Sequence, residues 1–249
     1  MNNLELERII NQKLASYSIK DYVPNGLQIE GKAEVTKILT GVTASLALIE
    51  EAIDRDVDAI LVHHGYFWKS ESPIIRGMKY KRIKHLIENG INLYAYHLPL
   101  DLHPELGNNA QLANMWNVQN VAPISEYQPI VLTGDLQKGM NIESFSAMIE
   151  KTLDRKPFVE AAGPKEIKRI AWCSGAAQDH LEEAANAGFD AFITGEVSER
   201  TIYIARELGI HFIAAGHHAT ERDGVRVLGE WLAKEYSLDV SFIDINNPI

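Results

Sequence analysis

Two hydrophobic rhythms alternate along most of the chain. Leu4, Leu6, Ile9, Ile10 and Leu14 recur at the three-to-four spacing of an amphipathic helix, so the chain opens on one. "PNGLQIEG" (24–31) is turn chemistry around a short extended piece. From there β-like runs alternate with helical segments: "VTKILTGV", a helix from about Ser45, "DAILVHH", a helix over "MKYKRIKHLIENG", then "INLYAYHL". The alternation resumes with "IKRIAWC", "QDHLEEAANAG", "DAFITGE", "SERTIYIARELG", "IHFIAAGHH", a helix through Leu232, and "DVSFIDI". Strands separated by helices of about ten residues predict an α/β fold with mainly parallel sheets.

The second series repeats the first. Set without a gap over Ile170–Glu196, the stretch Ile38–His64 shows seven identical pairs: Ile38/Ile170, Ala44/Ala176, Glu50/Glu182, Glu51/Glu183, Ala52/Ala184, Asp58/Asp190 and Ala59/Ala191. The next units correspond too: "ENGINLYAYHLPLD" sits over "ELGIHFIAAGHHATE". Similarity of this length predicts two related, intertwined half-modules. We place the first at 1–119 and the second at 166–249. A connecting segment at 120–165, with a strand-like "QPIVLTG" and a helical "IESFSAMIEKTL", lies between them.

Ligand sites in open α/β sheets gather at the carboxyl ends of strands. His63 and His64 end "DAILV"; His97 ends "INLYAY", with Asp101 four residues on. In the second half Glu196 ends "AFITG", while His217 and His218 end "IHFIAAG", with Glu221 just beyond. Neighbouring strand residues point to opposite faces, so His63 and His64 cannot share one packing site. His97-x-x-x-Asp101 and His217-x-x-x-Glu221 have one spacing, and a helical turn would bring each imidazole and carboxylate onto one face. The set predicts a metal site at the strand carboxyl ends, between the half-modules; mixed N/O ligation suits one transition ion or two sharing a bridge. His85, His180 and His211, on helix faces or within strands, are read as structural.

Composition narrows the function. The chain has 249 residues, 46% of them hydrophobic, and a net charge of −10 from 34 acidic and 24 basic residues. Such a surface repels a phosphate backbone, so duplex nucleic acid is disfavoured as a partner. One cysteine excludes an intrachain disulfide. The opening "MNNLELERII" is no secretory signal, and no run approaches the roughly 18 apolar residues of a membrane span. A cytoplasmic protein without membrane attachment is expected.

The ordered set "GLQIEGKAEVTKILTGVTAS", "DAILVHHGYFW", "HLPLD…GNNAQLA", "DAFITGE" and "GHHATE" resembles the GTP cyclohydrolase 1 type 2 homolog family, also called NIF-three-like, in its short bacterial form. The resemblance implies two divalent metal ions per chain, bound by His63, His64, Asp101, His217 and Glu221, with Glu221 bridging. His218 is left in support. It also implies a ring-shaped homohexamer. Many members carry proline after the paired histidines, where this chain has Gly65; a wider pocket mouth or a looser turn would follow. The ions' identity (Zn, Fe, Mn or Mg) stays open, because all four accept His and carboxylate.

The expected function is a metal-dependent, dinuclear hydrolase acting on a nucleotide or related heterocycle. Two ions about 3.5–4 Å apart would activate a water as the nucleophile. His97 and Glu196 are the candidates for proton transfer; the competing role for each is to orient a ligand by a hydrogen bond. Lys69, Arg76, Lys79, Arg200 and Arg222 flank the site and would suit an anionic substrate, although solvated surface accounts for them as well. The rival function is a non-catalytic metal carrier or ring-shaped interaction scaffold.

Overall fold

The computed structural model describes residues 1–127 and 129–249. Its first stretch contains α1 (Asn3–Leu14), β1 (Gly26–Ile29), β2 (Lys37–Thr43), α2 (Leu46–Asp54), β3 (Ala59–His64), α3 (Gly77–Glu88), β4 (Asn92–Ala95) and α4 (Leu98–Leu102). Next come α5 (Asn108–Met115), β5 (Val118–Pro123), β6 (Leu132–Met140), α6 (Ile142–Leu153) and β7 (Phe158–Glu160). The chain continues through β8 (Ile167–Trp172), α7 (Leu181–Asn186), β9 (Ala191–Thr194), α8 (Glu199–Leu208), β10 (His211–Ala214) and α9 (His217–Thr220). It closes with α10 (Arg222–Tyr236) and β11 (Asp239–Phe242). Gln128, the first residue of the strand-like "QPIVLTG", lies outside the described residues; the strand itself, β6, begins at Leu132.

Two compact units result. One comprises Met1–Gly107 and Arg222–Asn246, the other Asn108–Glu221 and Asn247–Ile249. The first holds a sheet in the order β1-β4-β3-β2-β11, the second a sheet in the order β5-β6-β8-β9-β10-β7. Pairings among β11, β2, β3 and β4 are parallel, as are those among β8, β9 and β10; β1, β7, β6 and β5 add on antiparallel. The α/β expectation holds.

The internal repeat is visible in the register. Ile38 pairs with Ala59 and Ile170 with Ala191; Leu39 pairs with Ile60 and Ala171 with Phe192. Asp58 explains why one identical pair recurs. Its Oδ2 accepts the amides of Thr36 (3.0 Å) and Lys37 (3.1 Å), and Asp190 Oδ2 accepts those of Lys168 and Arg169 (both 2.8 Å). Each aspartate, just ahead of β3 or β9, thereby fixes the entry into the neighbouring strand, β2 or β8. His211 has a counterpart too. Gly31 N–H donates to Asn92 Oδ1 and Gly163 N–H to His211 Nδ1, while Asn92 Nδ2 donates to Lys32 O and His211 Nε2 reaches Pro164 O. His211 is therefore structural, as its place inside a strand predicts.

The strand faces alternate as a two-sided parallel sheet requires. Ala59 and Leu61 face a core with Leu6 and Ile10 of α1 and Leu228 of α10, whereas Ile60 and Val62 face Leu48 of α2 and Leu86 of α3. In the second unit Ile170 and Trp172 pack with Phe145 of α6, and Ala171 with Leu181 of α7.

The last elements depart from the expected boundaries. Sequence similarity assigns everything from 166 to 249 to the second half-module, yet α10 packs in the core of the first unit and β11 pairs in parallel with β2. The physical reason is edge occupancy. The equivalent edge, on β8, is already taken by antiparallel β6, itself part of the expected connecting segment.

Asp58 yields a stability prediction. Burial alone would raise its carboxyl, but the Thr36 and Lys37 amides, Lys32 and the Thr36 hydroxyl lower it from 3.8 to about 2. A depressed folded value means stability present above pH 3.8 and lost as pH falls through about 2. Asp58→Ala should cost about 2 kcal/mol at neutral pH, the scale of hydrogen bonds to a charged group. Denaturant unfolding should show the deficit shrinking toward pH 2; a neutral-pH stability equal to wild type would contradict the role.

Candidate functional site

In the first unit the site grows from the end of β3. Alternation sends His63 to one face, where it is fully buried, and leaves His64 half-buried on the other. His63 Nδ1 is 2.9 Å from Tyr96 O, and His64 Nδ1 is 3.2 Å from the Thr43 hydroxyl on the neighbouring strand. His97 follows β4 and precedes α4, and its Nδ1 lies 3.1 Å from the buried Asp21 carboxylate. Each ring is thus held through Nδ1, and the nitrogen offered to a ligand is Nε2. Ligand atoms of His63, His64 and His97 all come within 4.8 Å of one another. One turn into α4, buried Asp101 brings Oδ2 to 3.6 Å from His63 Nε2.

Asp21 does more than hold His97. Its Oδ2 accepts the Leu98 amide (2.9 Å), and Asn25 Oδ1 accepts the His97 amide (2.7 Å). These two distant side chains serve the opening amides of α4 that a local N-cap would otherwise satisfy. Burial alone would raise the Asp21 carboxyl, but the hydrogen bonds from His97, Asn25 and Leu98 hold it below its ordinary value. The signal for Asp21 is weak in sequence, because nothing in "DYVPNG" points to a residue 76 positions on.

The second unit presents the same logic with carboxylates. His217 opens α9; its Nδ1 is 2.7 Å from Glu196 Oε1 and its Nε2 is 3.1 Å from Glu221 Oε2. Glu221 is buried, while Glu196 and His217 are half-buried. Gly175, with φ 65°, lies where any side chain would run into the Glu221 carboxylate. Its amide donates to Thr220 Oγ1 at 3.0 Å, which ties the loop after β8 to α9. Burial alone would lower the His217 pKa, but Glu221 and Glu196 push it up to about 9.

A family model described as Duf34/NIF3 (NGG1p interacting factor 3) matches residues 1–248. The chain belongs to the Duf34/NIF3 family. A curated relative from Haemophilus influenzae, called GTP cyclohydrolase 1 type 2 homolog, is 60% identical with both chains fully covered. One from Escherichia coli with the same name is 56% identical, again over the whole of both chains. Among solved structures, "protein ybgI, unknown function" is similar with a TM-score of 0.97 at 56% identity. The protein TTHA1606 from Thermus thermophilus is similar with a TM-score of 0.91 at 31% identity; both of these matches cover the whole of each chain.

In this Duf34/NIF3 member His63, His64, His97 and Asp101 come together in one unit, and Glu196, His217 and Glu221 in the other. The equivalence of the two His-x-x-x-carboxylate motifs is offset by one residue. Asn92 and His211 both pair with the first residue of the central strand, so Gly216, at the N-cap of α9, takes the place of His97, at the N-cap of α4. Glu196 touches His217 through Nδ1. His218 is buried, and its amide donates to Ile249 O at 2.9 Å. Several flanking cations are committed to ion pairs: Lys79 with Glu71, Arg200 with Asp179 and Arg222 with Asp244. Gly65 sits in a crowded place, since a side chain there would collide with Gln28 and Ala95. Among the described residues no helix is long and apolar enough to cross a membrane.

The raised His217 pKa has a readable sign. Its charged form adds stability fully present below pH 6.5 and lost as pH rises through about 9. In metal-free protein, an NMR titration of the imidazoles should find His217 changing state near pH 9, and Glu196→Gln should bring it down. Titration of wild-type His217 near 6.5 would contradict the two-carboxylate clamp.

Proposed function

We propose that the chain is a metal-dependent hydrolase of a nucleotide or related heterocycle, with two divalent ions held by His63, His64, Asp101, His217 and Glu221. The observation that carries the proposal is the common tethering of the imidazoles. His63, His64, His97 and His217 each spend Nδ1 on a carbonyl, a hydroxyl or a carboxylate, the arrangement that fixes tautomer and orientation for ligation through Nε2. A mixed imidazole and carboxylate donor set fits Zn, Fe or Mn, and fits Mg less well. Divalent ions bound there would polarise the attacked bond and lower the pKa of water.

The chain's own residues then divide the work. Asp21 holds His97 by Nδ1 and so fixes the ring with Nε2 as the atom that would take a proton and pass it on. Glu196 keeps the His217 ring in place and stabilises its charge. Glu221, buried beside His217 Nε2, would be the ligand shared by the two ions. The relatives' name, GTP cyclohydrolase 1 type 2 homolog, suggests the heterocycle as the class of substrate.

The test joins metal analysis to a screen of nucleotides and heterocycles. Wild type should bind two ions per chain and hydrolyse one of the compounds. Glu221→Gln should lower occupancy of both ions. His97→Asn should retain metal while losing roughly 10²–10⁴-fold in turnover, the usual weight of a proton-transfer group. Loaded wild type that turns over none of the compounds would replace the enzyme with a metal carrier or scaffold.

A further inference from the structure

The residues that follow the paired histidines, "GYFW", carry more order than a surface turn needs. Tyr66 is buried and its hydroxyl donates to Ala44 O at 2.8 Å. Gln28 grips the Tyr66 backbone from both sides, accepting its amide at 2.7 Å and donating to its carbonyl at 3.1 Å. Phe67 has φ 66°, a left-handed conformation that costs a bulky residue free energy and persists only where its surroundings enforce it. Glu71 Oε2 accepts the Phe67 amide at 2.9 Å. Lys79 lies 3.3 Å from that carboxylate and 5.0 Å from the Phe67 ring centroid, so this cation braces the loop.

What the strained loop presents is Trp68. Its Nε1–H donates to Gly65 O at 3.2 Å, and the Lys69 amide donates to Tyr22 O at 3.1 Å, which draws Tyr22 to the same place. The Tyr22 and Trp68 rings stand 5.7 Å apart. Both approach His97 edge-on with centroids at 5.1 Å, and Trp68 lies 5.8 Å from His64. Tyr22 nevertheless keeps 53% of its surface exposed. A pair of aromatic rings packed only to support His97 would be expected to bury its faces; a rigid pair half open to solvent offers area to a flat ring at little entropic cost.

We propose that Tyr22 and Trp68 form a stacking platform that holds the planar heterocyclic ring of the substrate beside His64 and His97. This rests on reading the imidazole cluster as the site of a heterocycle hydrolase. The platform binds the ring itself, independently of any phosphate the substrate carries. Base-on-aromatic stacking tolerates many heterocycles, because each has a π-face, and removing one aromatic partner typically weakens binding by roughly tenfold or more.

Calorimetry with GMP as the ring-bearing probe and ribose 5-phosphate as the ringless one tests the platform on metal-loaded protein. GMP should bind wild type and quench tryptophan emission, and ribose 5-phosphate should bind at least about tenfold more weakly. Tyr22→Ala and Trp68→Ala should each weaken GMP by about tenfold. Tyr22→Phe and Trp68→Phe, which keep a ring, should restore it, with metal content and melting temperature unchanged throughout. Equal GMP affinity in the two alanine variants and wild type, equal binding of the two probes, or no GMP binding at all would overturn the platform. Loss of metal along with GMP in Trp68→Ala would also overturn it, since Trp68 would then merely support His97. GMP bound through these rings without hydrolysis of any compound would remove the hydrolase and leave the platform standing. Hydrolysis of a heterocycle with KM unchanged in both alanine variants would do the reverse.

Discussion

Parallel pairing of the central strands is the constraint on which the rest depends. Because β2, β3 and β4 run the same way, their carboxyl ends share one edge of the sheet, and so do those of β8, β9 and β10. Any polar residue just past a strand end is then delivered to a common place without help from long loops. His63, His64 and His97 reach one cluster this way, and Glu196 and His217 reach another. Asp58 and Asp190 secure the opposite end of each sheet, where their carboxylates cap the entry into β2 and β8. One repeated unit thus fixes both the scaffold and the direction in which its chemistry points.

Buried imidazoles are costly unless satisfied, and the way they are satisfied assigns their chemistry. A carbonyl, a hydroxyl and a carboxylate occupy Nδ1 of His63, His64 and His97 in turn. The three partners differ in charge: through Nδ1, His97 is the one of the three held by an anion. His217 meets carboxylates through both nitrogens, which is why its pKa rises despite burial. An ion held there as proposed would compete with a proton for the nitrogen that faces Glu221, and loading would then be pH-dependent.

Much of this was legible in the sequence, because it depends on local pattern and on a repeat. The apolar runs located the strands, and the ungapped similarity anticipated a register that pairs Ile38 with Ala59 as Ile170 with Ala191. Polar residues at the strand ends identified every member of the two clusters except Asp21. What escaped depends on long-range choice. "DVSFIDI" has the pattern of a strand, but nothing in it says that the β8 edge is filled by β6 and that β11 must join β2. Asp21 pairs with His97 across 76 positions, and the one-residue offset between His97 and Gly216 appears only once Asn92 and His211 are set in register. The crowding at Gly65 was hidden as well, because the Gln28 and Ala95 side chains that a larger residue would meet come from β1 and β4.

The central proposal is that His63, His64, Asp101, His217 and Glu221 would hold two ions, with His97 and Glu196 in support. Anomalous diffraction from crystals grown with Zn or Mn tests it most directly. The account predicts two anomalous peaks per chain, each within about 2.0–2.3 Å of Nε2 or carboxylate oxygens of those five residues. Glu196 should lie on His217 Nδ1, away from both ions. A single peak, peaks ligated through Nδ1, or Glu196 coordinated directly to an ion would contradict it.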